Sequence, residues 1–188
     1  MSKYSFENFQ RTALTRLLGM DKYKKILEMY NNQNIDLTSK EFKKCFNGFY
    51  RVRRNEKWQK VYYDYFNKNR NNKNITFDEI LDYMYYNTEG NMIEASFSSK
   101  MLSTINPNMP IWDRYVLKNL DIKVEGNTKE EKLIEAKKAY KKILEDVNNK
   151  LKDENIKQAI KDFRYFFPEL KFTDVKILDF ILWNDRKS

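Results

Sequence analysis

Glu94-Ala95-Ser96-Phe97-Ser98-Ser99-Lys100-Met101-Leu102-Ser103-Thr104-Ile105-Asn106-Pro107-Asn108-Met109-Pro110-Ile111-Trp112-Asp113-Arg114-Tyr115-Val116 is the passage on which the fold turns. Small residues cluster in its first half. They let a helix approach its neighbours closely, which places this one in the middle of a bundle. Pro107 and Pro110 end it, because proline has no amide to donate and restricts the residue before it. The stiff loop between them delivers Trp112 and Asp113 to a further helix covering about Asp113 to Leu120. The positive end of a helix dipole favours a carboxylate there, so Asp113 is expected to be ionised and held. A plain N-cap is the alternative role for Asp113, and a core or corner anchor the alternative for Trp112.

Outward from this passage the punctuation is helical. Toward the N-terminus, Thr88-Glu89-Gly90-Asn91 breaks a helix that Thr76-Phe77-Asp78-Glu79 opens as a capping box. Asn55 opens another, with Trp58, Val61, Tyr62, Tyr65 and Phe66 at helical spacing. Thr38-Ser39-Lys40-Glu41 reads as a capping box ahead of Phe42, Cys45, Phe46 and Phe49. Ser5 is expected to cap a first helix ended by Gly19, and Asp21 to start a short one carrying Tyr23, Ile26, Leu27 and Tyr30. Toward the C-terminus, Thr128-Lys129-Glu130-Glu131 begins what should be the longest helix, its buried stripe running from Leu133 to Leu151. Two more helices start near Asp153 and Thr173. No alternating run flanked by hairpin turns occurs, so strands are not expected.

The expected fold is therefore all-α, a single compact domain over residues 1–188 with about eight or nine helices. At 188 residues with 41% hydrophobic content the chain is long enough for one buried core. Only 4 glycines and 3 prolines are present, and no linker-like tract on which to hang a second module. A single cysteine, Cys45, and no histidine exclude an intramolecular disulfide, cysteine-ligated clusters and histidine catalysis. Without a tight acidic cluster either, neither a metal nor any other cofactor is expected. The chain lacks a signal-like start and any run of about 18 apolar residues, so a cytoplasmic protein with no membrane partner is expected.

The formal net charge is +9, which favours polyanionic partners. Between Lys40 and Lys60, eight basic residues stand against two acidic ones. Arg51, Arg53 and Arg54, with Lys57 and Lys60, are the candidate phosphate contacts, because arginine forks can hold two phosphate oxygens. Phe49, Tyr50 and Trp58 are interleaved with them and could stack on bases. The competing explanations are a soluble turn over core aromatics and the lysine-rich residue usage of an AT-rich genome.

The order helix, Gly-containing turn, helix, proline loop and aspartate resembles the helix-hairpin-helix DNA glycosylase superfamily, which includes the 8-oxoguanine glycosylases. The resemblance spans about Ile75 to Leu120. It implies DNA as a partner, a hairpin at Gly90 against the phosphate backbone, and Asp113 serving cleavage of an N-glycosidic bond. It further implies Trp112 or Tyr115 stacked on a flipped base. Lys100 would form a Schiff base if it lined the same pocket with a lowered pKa. This hairpin has one glycine where the family usually has two, and Lys100 lies further along its helix than the family lysine. The alternative is a non-enzymatic interaction or inhibitor protein, carried by a phage or mobile element, that binds a protein or nucleoprotein target.

Overall fold

The computed structural model describes residues 6–184; the side chains of 6–18, 115, 119, 183 and 184 lie outside that description, as does Ser5. Among the described residues there are nine helices and no strand. In chain order they are α1 (Phe6–Asn31), α2 (Lys40–Tyr50), α3 (Glu56–Lys68), α4 (Phe77–Asn87), α5 (Ala95–Ile105), α6 (Arg114–Asn119), α7 (Lys129–Lys150), α8 (Glu154–Phe166) and α9 (Asp174–Asn184). No helix among them is long and apolar enough to cross a membrane.

The caps explain most of these boundaries. Thr76 accepts from the Glu79 amide at 3.2 Å while the Glu79 carboxylate accepts from the Thr76 amide at 2.7 Å, and Thr128 and Glu131 repeat the exchange ahead of α7. Asn55 and Asp153 cap α3 and α8. The start of α2 differs from expectation by one residue. Ser39 is the cap, accepting from the Phe42 amide, and the Thr38 hydroxyl is committed to the Asp36 carboxylate at 2.8 Å. With Phe42 three residues after the cap, no capping box can close there.

The largest departure concerns Gly19. Instead of ending a helix it lies inside α1, which at 26 residues is longer than the 22-residue α7. Gly19 does not take a positive φ, and an added Cβ would meet nothing within 4 Å. The side chains of Tyr23, Ile26 and Tyr30 are buried, and packing along one continuous face outweighs the modest helix cost of a glycine. Gly90, by contrast, has φ +81 in the turn between α4 and α5, beside Asn91 at +46.

The far end of α1 is closed by Arg70, which is 5% exposed. Its guanidinium donates to the carbonyls of Met29, Tyr30, Asn32 and Ile35, and the Tyr30 hydroxyl donates back to the Arg70 carbonyl. Met29 and Tyr30 belong to the last turn of α1, whose carbonyls a helix end leaves without partners, and Asn32 and Ile35 follow it. The core between α2 and α3 is aromatic. Phe42, Phe46, Tyr62, Tyr63 and Phe66 are fully buried and meet mostly edge to face.

α5 occupies the middle of the bundle, and Ser98, Ser99, Ser103 and Thr104 on it are fully buried. The Ser99 hydroxyl accepts from the Trp112 amide at 2.9 Å, which folds the proline loop back on the helix. Lys73 donates to the Ile105 carbonyl and Thr173 to the Pro107 carbonyl, both at 2.6 Å. Tyr140 donates to the Pro110 carbonyl at 2.8 Å. The loop is thus fastened from four sides.

Gly19→Ala should stabilise the protein by about 0.5–1 kcal/mol, because alanine loses less backbone freedom in a helix. Gly90→Ala should destabilise it by a similar amount or more, about 1 kcal/mol, because of the positive φ. Chemical denaturation of both variants checks the pair; a destabilised Gly19→Ala would break α1 in two.

Candidate active site

The cleft that matters opens where the proline loop meets α2, α5 and α9. It has a volume of about 140 Å³. Lys100 reaches it from α5 and Asp113 from the loop, while Phe49 and Tyr50 come from α2. The opposite wall is α9, with Lys176, Asp179 and Phe180.

Lys100 is in this cleft because of its place on a helix of small residues. Its own turn offers Ser96, whose hydroxyl accepts from Nζ at 3.0 Å, and its ammonium lies 4.8 Å from the Phe97 ring centre and 5.7 Å from that of Tyr50. The amine is largely withdrawn from water, and burial lowers its pKa from 10.5 to about 8; the carboxylates of Asp113 and Glu94 pull the other way and only partly offset it. Lys100 is therefore no solvated helix lysine. At neutral pH a useful fraction of it is the free amine, the form that attacks carbonyl and anomeric carbons.

Asp113 stands at the start of α6. Its carbonyl accepts the first helical bond of α6, from the Leu117 amide at 3.1 Å, which is the N-cap position. Its side chain also lines the cleft with Lys100. One residue earlier, Trp112 is 9% exposed and lies parallel to Phe77, their centres 6.2 Å apart. Phe77 in turn stacks on Tyr140 at 3.9 Å. The expectation that Trp112 stacks on a base is thus corrected, because its ring belongs to a buried aromatic column and it does not line the cleft. The side chain of Tyr115 lies outside the described residues.

The residues that complete the cleft are on α9. Lys176 is 3% exposed, with Nζ 2.9 Å from Asp179, 3.1 Å from the Ser103 hydroxyl and 4.8 Å from the Tyr23 ring centre. Sequence reasoning passed over this pair. The signal was a lysine inside the apolar run Val175, Ile177, Leu178, Phe180 and Ile181, with an acid three residues on; on a buried helix face a lysine must find a carboxylate. The Tyr50 hydroxyl is buried without a well-formed hydrogen bond, and burial pushes the phenol up.

The basic turn lies elsewhere. Arg51 ends α2 in a left-handed conformation (φ 54), and Arg51 and Arg53 are exposed. Arg54 instead makes a two-pronged pair with Glu94, each contact 3.0 Å. Lys57 pairs with Glu89 at 3.1 Å and Lys60 with Asp64 at 2.6 Å. Trp58 and Tyr50 are buried, Tyr50 in the wall of the cleft beside the half-buried Phe49. At the hairpin, the Gly90 carbonyl accepts from Lys129 at 2.6 Å. No family model, curated protein or solved structure matches the chain.

The lowered Lys100 pKa sets a direction for stability. Between about 8 and 10.5 the unfolded chain holds a proton on this lysine that the folded protein has released, so stability rises with pH across that window and the burden of the buried charge is full below it. Relative to Lys100→Met, the parent protein should therefore gain stability as pH rises from about 8 to 10.5. Thermal unfolding of both across that range checks the sign; parallel curves would place Lys100 in water.

Proposed function

We propose that this protein acts on DNA through the Lys100–Asp113 cleft, breaking an N-glycosidic bond as the resemblance to helix-hairpin-helix glycosylases implies. The observation that carries the reading is the shared cleft, in which an amine with a pKa of about 8 and a carboxylate open into one largely apolar space. A flipped nucleotide would enter along Phe49. The free amine of Lys100 would attack the anomeric carbon as the base departs with the bonding electrons, while the Asp113 carboxylate stabilises positive charge on the sugar. Loss of the amine proton and ring opening then give the Schiff base. Arg51 and Arg53 remain as exposed phosphate contacts, with Arg54 engaged by Glu94.

One observation favours the second reading, a non-enzymatic interaction protein. Three of the basic residues between Arg51 and Lys60 are paired within the chain, and Tyr86 and Met92, on either side of the hairpin turn, are 69% and 52% exposed. That reading predicts a stable protein complex that survives Asp113→Asn.

Cyanoborohydride trapping on duplex DNA with an abasic site tests the enzymatic reading. A covalent adduct at Lys100 is expected, lost in Lys100→Ala. With a panel of damaged and modified bases, Asp113→Asn should slow base release by about 100-fold. Circular dichroism would confirm that each variant folds. Intact glycosidic bonds across the panel, with no adduct, would sink it.

A further inference from the structure

We infer that the cleft takes a single-ring base of the pyrimidine class, and that Lys176 and Asp179 on α9 are the pair that reads its edge. This rests on the reading of the Lys100 cleft given above, and its test uses free bases and no DNA, so that the two can fail separately.

The cleft is graded in depth. Lys100 is half-buried, whereas Lys176 on the opposite wall is 3% exposed. A sugar beside the Lys100 amine therefore stays at the mouth, and what enters is the base. The room is for one ring. The cleft has a volume of about 140 Å³, and an apolar cavity of roughly 150 Å³ holds a molecule the size of benzene. A purine carries a second, fused ring. The walls suit a flat apolar face, with Phe49 from α2 and Phe180 from α9 both packed on the Tyr23 ring, their centres 5.8 and 5.9 Å from it, and Ile111 beside them from the proline loop.

The buried ammonium is what makes this wall more than apolar. Two of the three Lys176 Nζ protons go to Asp179 at 2.9 Å and Ser103 at 3.1 Å, which leaves one for an incoming acceptor. The Asp179 carboxylate beside it can accept more than one hydrogen bond. Donor and acceptor thus stand side by side, and a pyrimidine edge presents the complement, a carbonyl oxygen or ring nitrogen next to an N–H. As Lys100 attacks the anomeric carbon, the C–N bond breaks and its electron pair leaves on the base, spread over ring nitrogen and carbonyl oxygen. Lys176 then meets growing negative charge, in a site where water would otherwise have to supply that stabilisation. The proton lost from the Lys100 nitrogen completes the neutral base.

Uracil and hypoxanthine carry the same carbonyl and N–H edge, one on a single ring and the other on two. Each is titrated into the intact protein at millimolar concentration and followed by NMR chemical shifts. Uracil should bind about tenfold more tightly than hypoxanthine, and Lys176→Met should lose about tenfold in uracil affinity. Leu182→Ala widens the slot and should bring hypoxanthine to within about twofold of uracil. If Lys176→Met fails to fold by circular dichroism, the response of hypoxanthine to Leu182→Ala decides. No uracil binding, equal binding of hypoxanthine by the parent protein, or a folded Lys176→Met with unchanged uracil affinity would overturn the proposal. Preferential uracil binding without base release or trapping on DNA would support it and remove the cleavage reading. Trapping at Lys100 without a preference for uracil would do the reverse.

Discussion

The molecule depends on a helix that buries hydroxyl groups where a bundle would ordinarily bury methyls. On α5 Ser98, Ser99, Ser103 and Thr104 are fully enclosed, and two of the four bond neighbouring elements while Thr104 turns back on its own helix. Ser99 receives the Trp112 amide, Ser103 the Lys176 ammonium, and Thr104 donates to the Lys100 carbonyl. The half-buried Ser96 receives Lys100 itself. Alanine at Ser96, Ser99, Ser103 or Thr104 would fill much of the same space, but it would leave a buried donor unmatched or a carbonyl less satisfied, which costs about 1–3 kcal/mol for the donors; the Ser98 hydroxyl has no partner to lose. Serine and threonine are indifferent helix formers because they compete with the backbone. Here Ser99 and Ser103 also bond neighbouring elements, and the helix becomes the rack on which the loop and α9 are registered.

How far this was legible in the sequence follows from the range of the interactions involved. Capping residues and the spacing of Phe42, Trp58, Ile80 or Tyr140 are local signals, and they located the helices, the all-α class and the stop at Pro107. Gly19 misled because a glycine's turn-forming tendency is local while the face it interrupts is buried by distant residues. Thr38 misled because Asp36, two residues back, took its hydroxyl. Asp113 could be singled out from its loop. That Lys100 shares its cleft depends on the proline loop folding back on α5, and that α9 closes it depends on packing between segments more than seventy positions apart, which left only the trace of a lysine in an apolar run.

The electrostatics show why a net charge is a poor guide to a binding face. The excess of basic residues between Lys40 and Lys60 dwindles at the turn, where Glu94, Glu89 and Asp64 from three different stretches answer Arg54, Lys57 and Lys60. Two of these pairs are exposed and contribute little to stability. The third is different in kind, because its acid is enclosed. Where charge is enclosed, as at Glu94 and Lys176, it is paired.

Arg70 carries a consequence for how the chain acquires this structure. The end of α1 is closed by a guanidinium forty positions further on, and Tyr30 reaches back to the same residue. Until the loop after α3 is in place the carbonyls there and the guanidinium have only water as a partner, so the last turn of α1 and that loop support each other. Closing that span has an entropic cost that is recovered only when the carbonyls and the guanidinium meet together. The end of the longest helix and the loop after α3 thus share one set of contacts, so a substitution at Arg70 should loosen both together.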